Sequence, residues 1–307
     1  MDRELVETVT KLVLNKLKEK ETSKQDEMVK LWSHSPSNSE NVMTNETSEV
    51  SVKKEFQNKE QSRVITGIER PLHKERLLTL LQQTPARIGV GRAGLRPKTS
   101  TLLKFRFDHA AAVDAVHGDV DEELLKHMEL FKVNTKVTDK ESYIRRPDYG
   151  RKLSDQAKQL IKERCGERPT VQIIVSDGLS SKAVDENLED VYLSLQQSLK
   201  SLGIDVGTSF FIEKGRVAAM DEVGELLNPK VIVYLIGERP GLVSAESLSA
   251  YLCYEPGIGT IEADRMVVSN IHRGGIPPVE AGAYLGTVIL KILKYKASGV
   301  ALMQKEK

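Results

Sequence analysis

Apolar residues recur at helical spacing in the first twenty positions. Leu5, Val6, Val9, Leu12, Val13 and Leu17 fall on one side, with Arg3, Glu4, Glu7, Lys11, Lys16 and Lys18 around the rest. The pattern then stops: residues 21–62 hold 9 apolar side chains in 42 positions. Such a stretch buries too little surface to offset the entropy of ordering it, which predicts a disordered linker over 21–63. From 64 to 165 the spacing predicts helices at 75–81, 101–116, 122–131 and 153–165. Pro97-Lys98-Thr99 reads as the entry to the second of these, with proline in the first turn. Beyond 166 the period changes. Short β-branched runs at 171–175, 210–212 and 231–236 read as strands. Helical patterns at 184–202 and 278–296, and a short one closing at Leu227, lie between and after them. Near-continuous apolar strands alternating with helices predict an α/β fold, a Rossmann-like, mostly parallel sheet covered on both faces. The expected layout is therefore an amphipathic helix at 1–20, a linker at 21–63, a helical domain at 64–165 and an α/β domain at 166–307.

Composition narrows the function. The 307 residues are 39% hydrophobic and 29% charged, enough to bury a large core. Lys plus Arg is 45 against 44 for Asp plus Glu, a net charge of +1, which removes a strongly basic nucleic-acid binder as the default. Cys165 and Cys253 are the only cysteines and show no metal spacing, which fits a reducing cytoplasm rather than a disulfide scaffold. No apolar run reaches the ~18 residues of a membrane span. The early Lys and Glu argue against a secretory leader.

A parallel sheet places ligands outside the carboxyl ends of its strands. Two polar, glycine-containing loops end strands there, Ser176-Asp177-Gly178-Leu179-Ser180 and Gly237-Glu238-Arg239-Pro240-Gly241-Leu242. Each alone reads as an ordinary turn, with Asp capping and Gly supplying positive φ. Two on one sheet edge predict a ligand rim. Residues 87–94 contain a literal G-x-G-x-x-G at Gly89, Gly91 and Gly94. The dinucleotide fingerprint needs a buried strand before it and a helix opening on the phosphates. Pro97 follows closely and Asp114 falls inside a predicted helix, so a basic loop carrying Arg92, Arg96 and Lys98 is the better reading. The six histidines, at 34, 73, 109, 117, 127 and 272, include no H-x-x-x-H pair, and no metal site is expected. His272 reads either as a hydrogen-bonded structural histidine or as a pocket liner. Cys253 lies in an apolar run and reads as core. No G-x-S-x-G elbow occurs. No catalytic set emerges, so the chemistry is expected on a ligand or a partner chain. The helix at 1–20 reads as a frayed terminus, a docking peptide or a membrane-surface helix, the last weakened by the mixed sign of its polar face.

Several strings carry a resemblance: RIGVGRAGLRPKTSTLLKFRFDHAAAVDAV, RRPDYGRKL, VSDGLSS, GERPGLVSAESLSAYLCYEP, EADRMVVSNIHRGGIPPVEA and KASGV. In order, over roughly 85–307, they resemble the small subunit (light chain) of ethanolamine ammonia-lyase. The resemblance implies a larger (β/α)8-barrel (TIM-barrel) partner subunit, adenosylcobalamin bound between the two chains, and conversion of ethanolamine to acetaldehyde and ammonia by a radical mechanism. It places substrate in the barrel, so no catalytic residue is assigned to this chain. It implies cofactor contacts at Val217, Glu238 and Val267. Val267 stands where similar proteins carry cysteine, which leaves a shape contact and no sulfur-specific role. The base-off signature D-x-H-x-x-G is absent, which fits base-on binding. It also favours residues 1–20 as an encapsulation peptide that docks shell proteins of a bacterial microcompartment. Two other classes remain open: a nucleotide-binding oxidoreductase using the 87–94 loop, and a non-catalytic microcompartment scaffold.

Overall fold

The computed structural model describes residues 66–84 and 86–306, so the expected helix at 1–20 and linker at 21–63 lie outside the described residues. The chain begins with α1 (Lys74–Gln83), a hairpin of β1 (Arg92–Ala93) and β2 (Arg96–Pro97), α2 (Thr99–His117) and α3 (Glu122–His127). It continues with β3 (Phe131–Asn134), α4 (Lys140–Arg145), α5 (Asp155–Arg164), β4 (Val171–Ser176) and α6 (Ser181–Ser201). Then come β5 (Phe210–Glu213), α7 (Ala219–Leu227), β6 (Val231–Gly237), β7 (Leu248–Tyr254), β8 (Arg265–Ile271), α8 (Pro278–Tyr295) and α9 (Gly299–Lys305).

β4 and β6 are buried at every position, as strands covered on both faces must be. Alternate side chains point to opposite faces, so one apolar run feeds two cores. Val171, Ile173 and Val175 join Val231, Val233 and Leu235 under α6 and α8. Ile174, Phe210, Ile212, Ile232 and Tyr234 pack on the other face against α5 and α7. The main sheet runs β3-β5-β4-β6-β7-β8 among the described residues. β3, β5, β4 and β6 are parallel neighbours, while β7 and β8 return antiparallel.

Local chemistry explains the helix starts. Asp121, Asp139, Ser154 and Ser180 each accept a hydrogen bond from a first-turn backbone N–H, at the heads of α3, α4, α5 and α6. α6 and α8 approach closely because α8 carries glycine where they touch. The Ser194 hydroxyl donates to the Val279 carbonyl at 2.7 Å, and that of Ser198 to Ala283 at 3.3 Å. A Cβ at Gly282 would stand 2.4 Å from the Val191 carbonyl oxygen.

The α/β class and the covered sheet match expectation, with four corrections. Three of the five strand pairings are parallel, as expected, but β7 and β8 make the sheet mixed, and the order of its parallel strands is not the 3-2-1-4 order of a dinucleotide fold. The segment 64–165 is not a separate helical domain. It supplies β3 to the sheet and α5 to a core, and the described residues fall in one unit. Residues 122–131 do not stay helical. Glu129 turns left-handed at φ 54°, a conformation its residue type does not announce, and β3 begins two residues later. Pro97 lies in β2 rather than in the first turn of α2. No helix of the described residues is long and apolar enough to cross a membrane.

Gly282→Ala is expected to destabilise the protein by about 1–3 kcal/mol through overpacking. Helix propensity alone favours Ala over Gly by about 1 kcal/mol. Urea unfolding of the two proteins separates these outcomes: an unchanged or raised midpoint would show that α6 and α8 part without cost.

Candidate functional site

The chain passes from β4 through α6 to β5 on one side, then from β5 through α7 to β6 on the other. The direction of travel reverses between β4 and β6, the switch point where α/β sheets open a crevice. A cleft of about 430 Å³ lies there. β4 contributes Gly178 and Leu179 just past its end, and β6 contributes Ile236, Gly237, Glu238 and Arg239. The segment after β5 contributes Arg216 and Val217. Tyr143 comes from α4, and Ser249, Tyr251, Val267 and Ser269 from the antiparallel edge.

Asp177 fastens these strand ends together. It is buried, and its Oδ1 accepts from the Lys214 N–H at 2.6 Å and the Ser176 hydroxyl at 3.1 Å. Its Oδ2 accepts from Lys140 Nζ at 3.3 Å. Burial raises its carboxyl above the usual range, and the Lys140 ammonium is the largest opposing influence. Ser176 Oγ also accepts from the N–H groups of Gly178 and Gly215, so the loops after β4 and β5 share one anchor. Tyr143, held on capped α4, donates its hydroxyl to the Gly215 carbonyl at 2.9 Å. Burial pushes this phenol well above its ordinary range, against the pull of Arg216. The Arg216 guanidinium stacks on the Tyr143 ring at 4.2 Å.

Glu238 is fixed from the other side. Its Oε1 accepts from the Ser249 hydroxyl at 2.5 Å and from the Asn270 N–H at 2.8 Å. β7 and β8 thus hold one carboxylate oxygen, and Oε2 has no hydrogen-bond partner among the described residues. Val267 is 47% exposed on β8, paired with Tyr251. Val217 is half-buried at the mouth of α7. Glu238, Val217 and Val267, singled out from three distant strings, therefore line one cleft. Tyr143, Arg216, Ser249 and Asn270 were not singled out. β7 and β8 lack the β-branched runs that mark β4 and β6, so their contribution was hidden.

The remaining candidates are placed elsewhere. Gly89 and Gly91 press against 66–67, where a Cβ at Gly67 would lie 2.0 Å from the Gly91 nitrogen. Gly94, at φ 61°, turns the β1–β2 hairpin. The G-x-G-x-x-G residues follow no strand of the main sheet and open no helix onto a phosphate. His272 takes the structural reading and also lines a pocket. Its Nδ1 accepts from the Gly274 N–H at 3.0 Å, which leaves Nε2 to donate to Asn270 Oδ1 at 2.9 Å. It sits on a second cleft of about 490 Å³ beside Lys182 and Glu246. Cys253 is fully buried, and burial pushes its thiol up to about 11, unlike a nucleophile. Among the described residues no group of three or more His, Cys, Asp or Glu is placed to hold a metal ion.

Comparison with known proteins places this arrangement in a family. The description "Ethanolamine ammonia-lyase light chain (EutC)" matches residues 74–303. The ethanolamine ammonia-lyase small subunit of Clostridium perfringens is 49% identical over 235 residues, 76% of this chain and 80% of that protein. That of Clostridioides difficile is 50% identical over 235 residues, 76% of this chain and 80% of the relative. That of Listeria monocytogenes is 47% identical over 232 residues, 76% and 79% of the two chains.

Lys140→Met tests the anchor. A carboxyl whose folded pKa stands above its unfolded value stabilises the fold below the unfolded pKa and loses that contribution as the pH rises through the folded one. Without Lys140 the Asp177 pKa moves further up. The stability deficit of K140M is therefore expected to be small near pH 4 and to grow with rising pH, towards about 3 kcal/mol once the carboxylate is charged. Urea unfolding across that range measures it, and a deficit independent of pH would contradict the assignment.

Proposed function

This chain belongs to the ethanolamine ammonia-lyase small-subunit family, and from that premise we propose that it forms part of an adenosylcobalamin site at its seam with the large subunit. The observation that carries the reading is the convergence of Val217, Glu238 and Val267 on one switch-point cleft. The residues fit such a group. A cobalamin presents apolar ring faces and a rim of neutral amides, and the cleft offers Ile236, Val217 and Val267 beside one carboxylate oxygen with an open lone pair. Gly178 and Gly237 let the ends of β4 and β6 pack backbone against backbone beneath the cleft, where a Cβ on either would collide with the other loop. A cleft this size covers part of a corrinoid, which supports a site completed by a second chain.

When bound, the cofactor supplies the radical chemistry by which ethanolamine is converted to acetaldehyde and ammonia. This chain's residues supply binding and orientation. Glu238, with Oε1 held by Ser249 and Asn270, aims Oε2 at an amide N–H. Val217 and Val267 give apolar contact, and the Asp177 anchor holds the strand ends in register. No residue of this chain is assigned to the reacting atoms. The substrate sits with the large subunit, for which a TIM barrel is the proposed architecture. His272, with both ring nitrogens engaged by its own loop, is not offered as a cobalt ligand, in keeping with base-on binding.

Glu238→Ala is expected to weaken cobalamin binding by the reconstituted two-subunit complex by roughly 1.5–3 kcal/mol, about 10- to 150-fold. Equilibrium dialysis measures it, and unchanged affinity would remove Glu238 from the site. We further propose that residues 1–20 direct the cytoplasmic enzyme to a microcompartment shell, a reading carried by the amphipathic spacing of Leu5, Val9, Leu12 and Val13. Deleting 1–20 should release the enzyme from purified shells while activity in extract persists. Equal co-purification of the truncated protein would refute the address role.

A further inference from the structure

Among the described residues three arginines are withdrawn from full exposure: Arg87, Arg216 and Arg265. Two have carboxylate partners. Arg87 meets Asp108 at 2.5 Å, and Arg265 meets Asp221 at 2.7 Å and Glu262 at 3.0 Å. Arg216 has none: no carboxylate of the described residues lies within 4.0 Å of its guanidinium. Its Nη2 donates to the Tyr143 carbonyl at 2.9 Å, and its Nε is buried without a hydrogen-bond partner. The stack on Tyr143 holds the group on the cleft wall. Arg239 adds an exposed second cation to the same cleft. Glu238, the one carboxylate among the cleft's described lining residues, is turned towards Ser249 and Asn270 and forms no ion pair with either arginine.

A half-buried guanidinium without a counter-charge is costly, and an anionic ligand group removes the cost. The planar fork of arginine suits phosphate, which it binds through paired N–H groups. A cobalamin's peripheral amides are neutral, and the phosphodiester of its nucleotide loop is its anionic group. We propose that Arg216, with Arg239 beside it, receives that phosphodiester, while Glu238 receives the ring amides. The inference rests on the cobalamin reading above and assigns the two ends of the ligand to the unpaired arginines and the unpaired carboxylate of the cleft.

The test uses the reconstituted two-subunit complex and two corrinoids, cyanocobalamin and cobinamide, the second lacking the phosphodiester and base. Affinities are measured by equilibrium dialysis with absorbance detection. Arg216→Gln is expected to weaken cyanocobalamin about 10- to 150-fold, the range for a charge-assisted hydrogen bond, and to leave cobinamide unchanged. Glu238→Ala should weaken both. Should R216Q fail to fold, Arg216→Lys decides: it keeps a charge without the fork and should lose part of the preference for cyanocobalamin. Equal loss of both corrinoids in the Arg216 variant would overturn the phosphate assignment. So would an unchanged preference, and if Glu238→Ala then still weakens both, the cleft reading stands without it. Unchanged affinities in both the Arg216 and Glu238 variants would overturn the cleft reading and this inference together.

Discussion

The ends of β4 and β6 meet where there is no room for a Cβ, and the cleft depends on that contact. A Cβ at Gly178 would lie 2.3 Å from the Gly237 carbonyl oxygen. One at Gly237 would lie 2.2 Å from the Ser180 oxygen and 2.3 Å from that of Asp177. Gly178 also takes φ +52°, a conformation other residues adopt only under strain. The Leu179 N–H donates to the Gly237 carbonyl at 3.1 Å, so the two loops are hydrogen-bonded as well as packed. Bare backbone forms the floor there, and the side chains that face a ligand stand around it.

The same region carries charges that the fold does not match to one another. Asp177 is buried and satisfied, and it works as a fastener between β4, the loop after β5 and α4. Arg216 and Glu238 are each held in place by hydrogen bonds and left without an opposite charge. A site built this way selects a ligand and fixes its orientation. Among the described residues it shows no nucleophile or general base arranged for covalent work, and Cys253 is buried in a core with its thiol pushed up to about 11. In the proposed role, this subunit grips one side of a large cofactor while the partner chain houses the substrate.

Much of this was legible in the sequence, for identifiable reasons. β4 and β6 are apolar on both faces, and continuous runs of that kind are what a doubly covered strand requires. Gly178 marked the loop after β4 by turn chemistry, while the helix cap expected from Asp177 is made by Ser180 instead. The edge was less legible. β8 begins with Arg265, a buried cation paired with Asp221 and Glu262, and continues through Ser269 and Asn270. Alternation could not announce it. β3 was hidden behind Glu129, whose left-handed turn ends α3 with the Leu130 N–H donating back to the Leu125 carbonyl at 2.9 Å, a closure its residue type does not announce. Arg216 lay beside a residue already singled out, but that its charge has no partner is a fact of three-dimensional neighbours, which sequence spacing does not record.

The most direct measurement is a structure of the two-subunit complex with cobalamin bound. The account predicts ring amides against Glu238, ring edge against Val217 and Val267, and the whole group seated over the meeting point of β4 and β6. A cobalamin held elsewhere, with this cleft filled by solvent or by the partner chain alone, would contradict it.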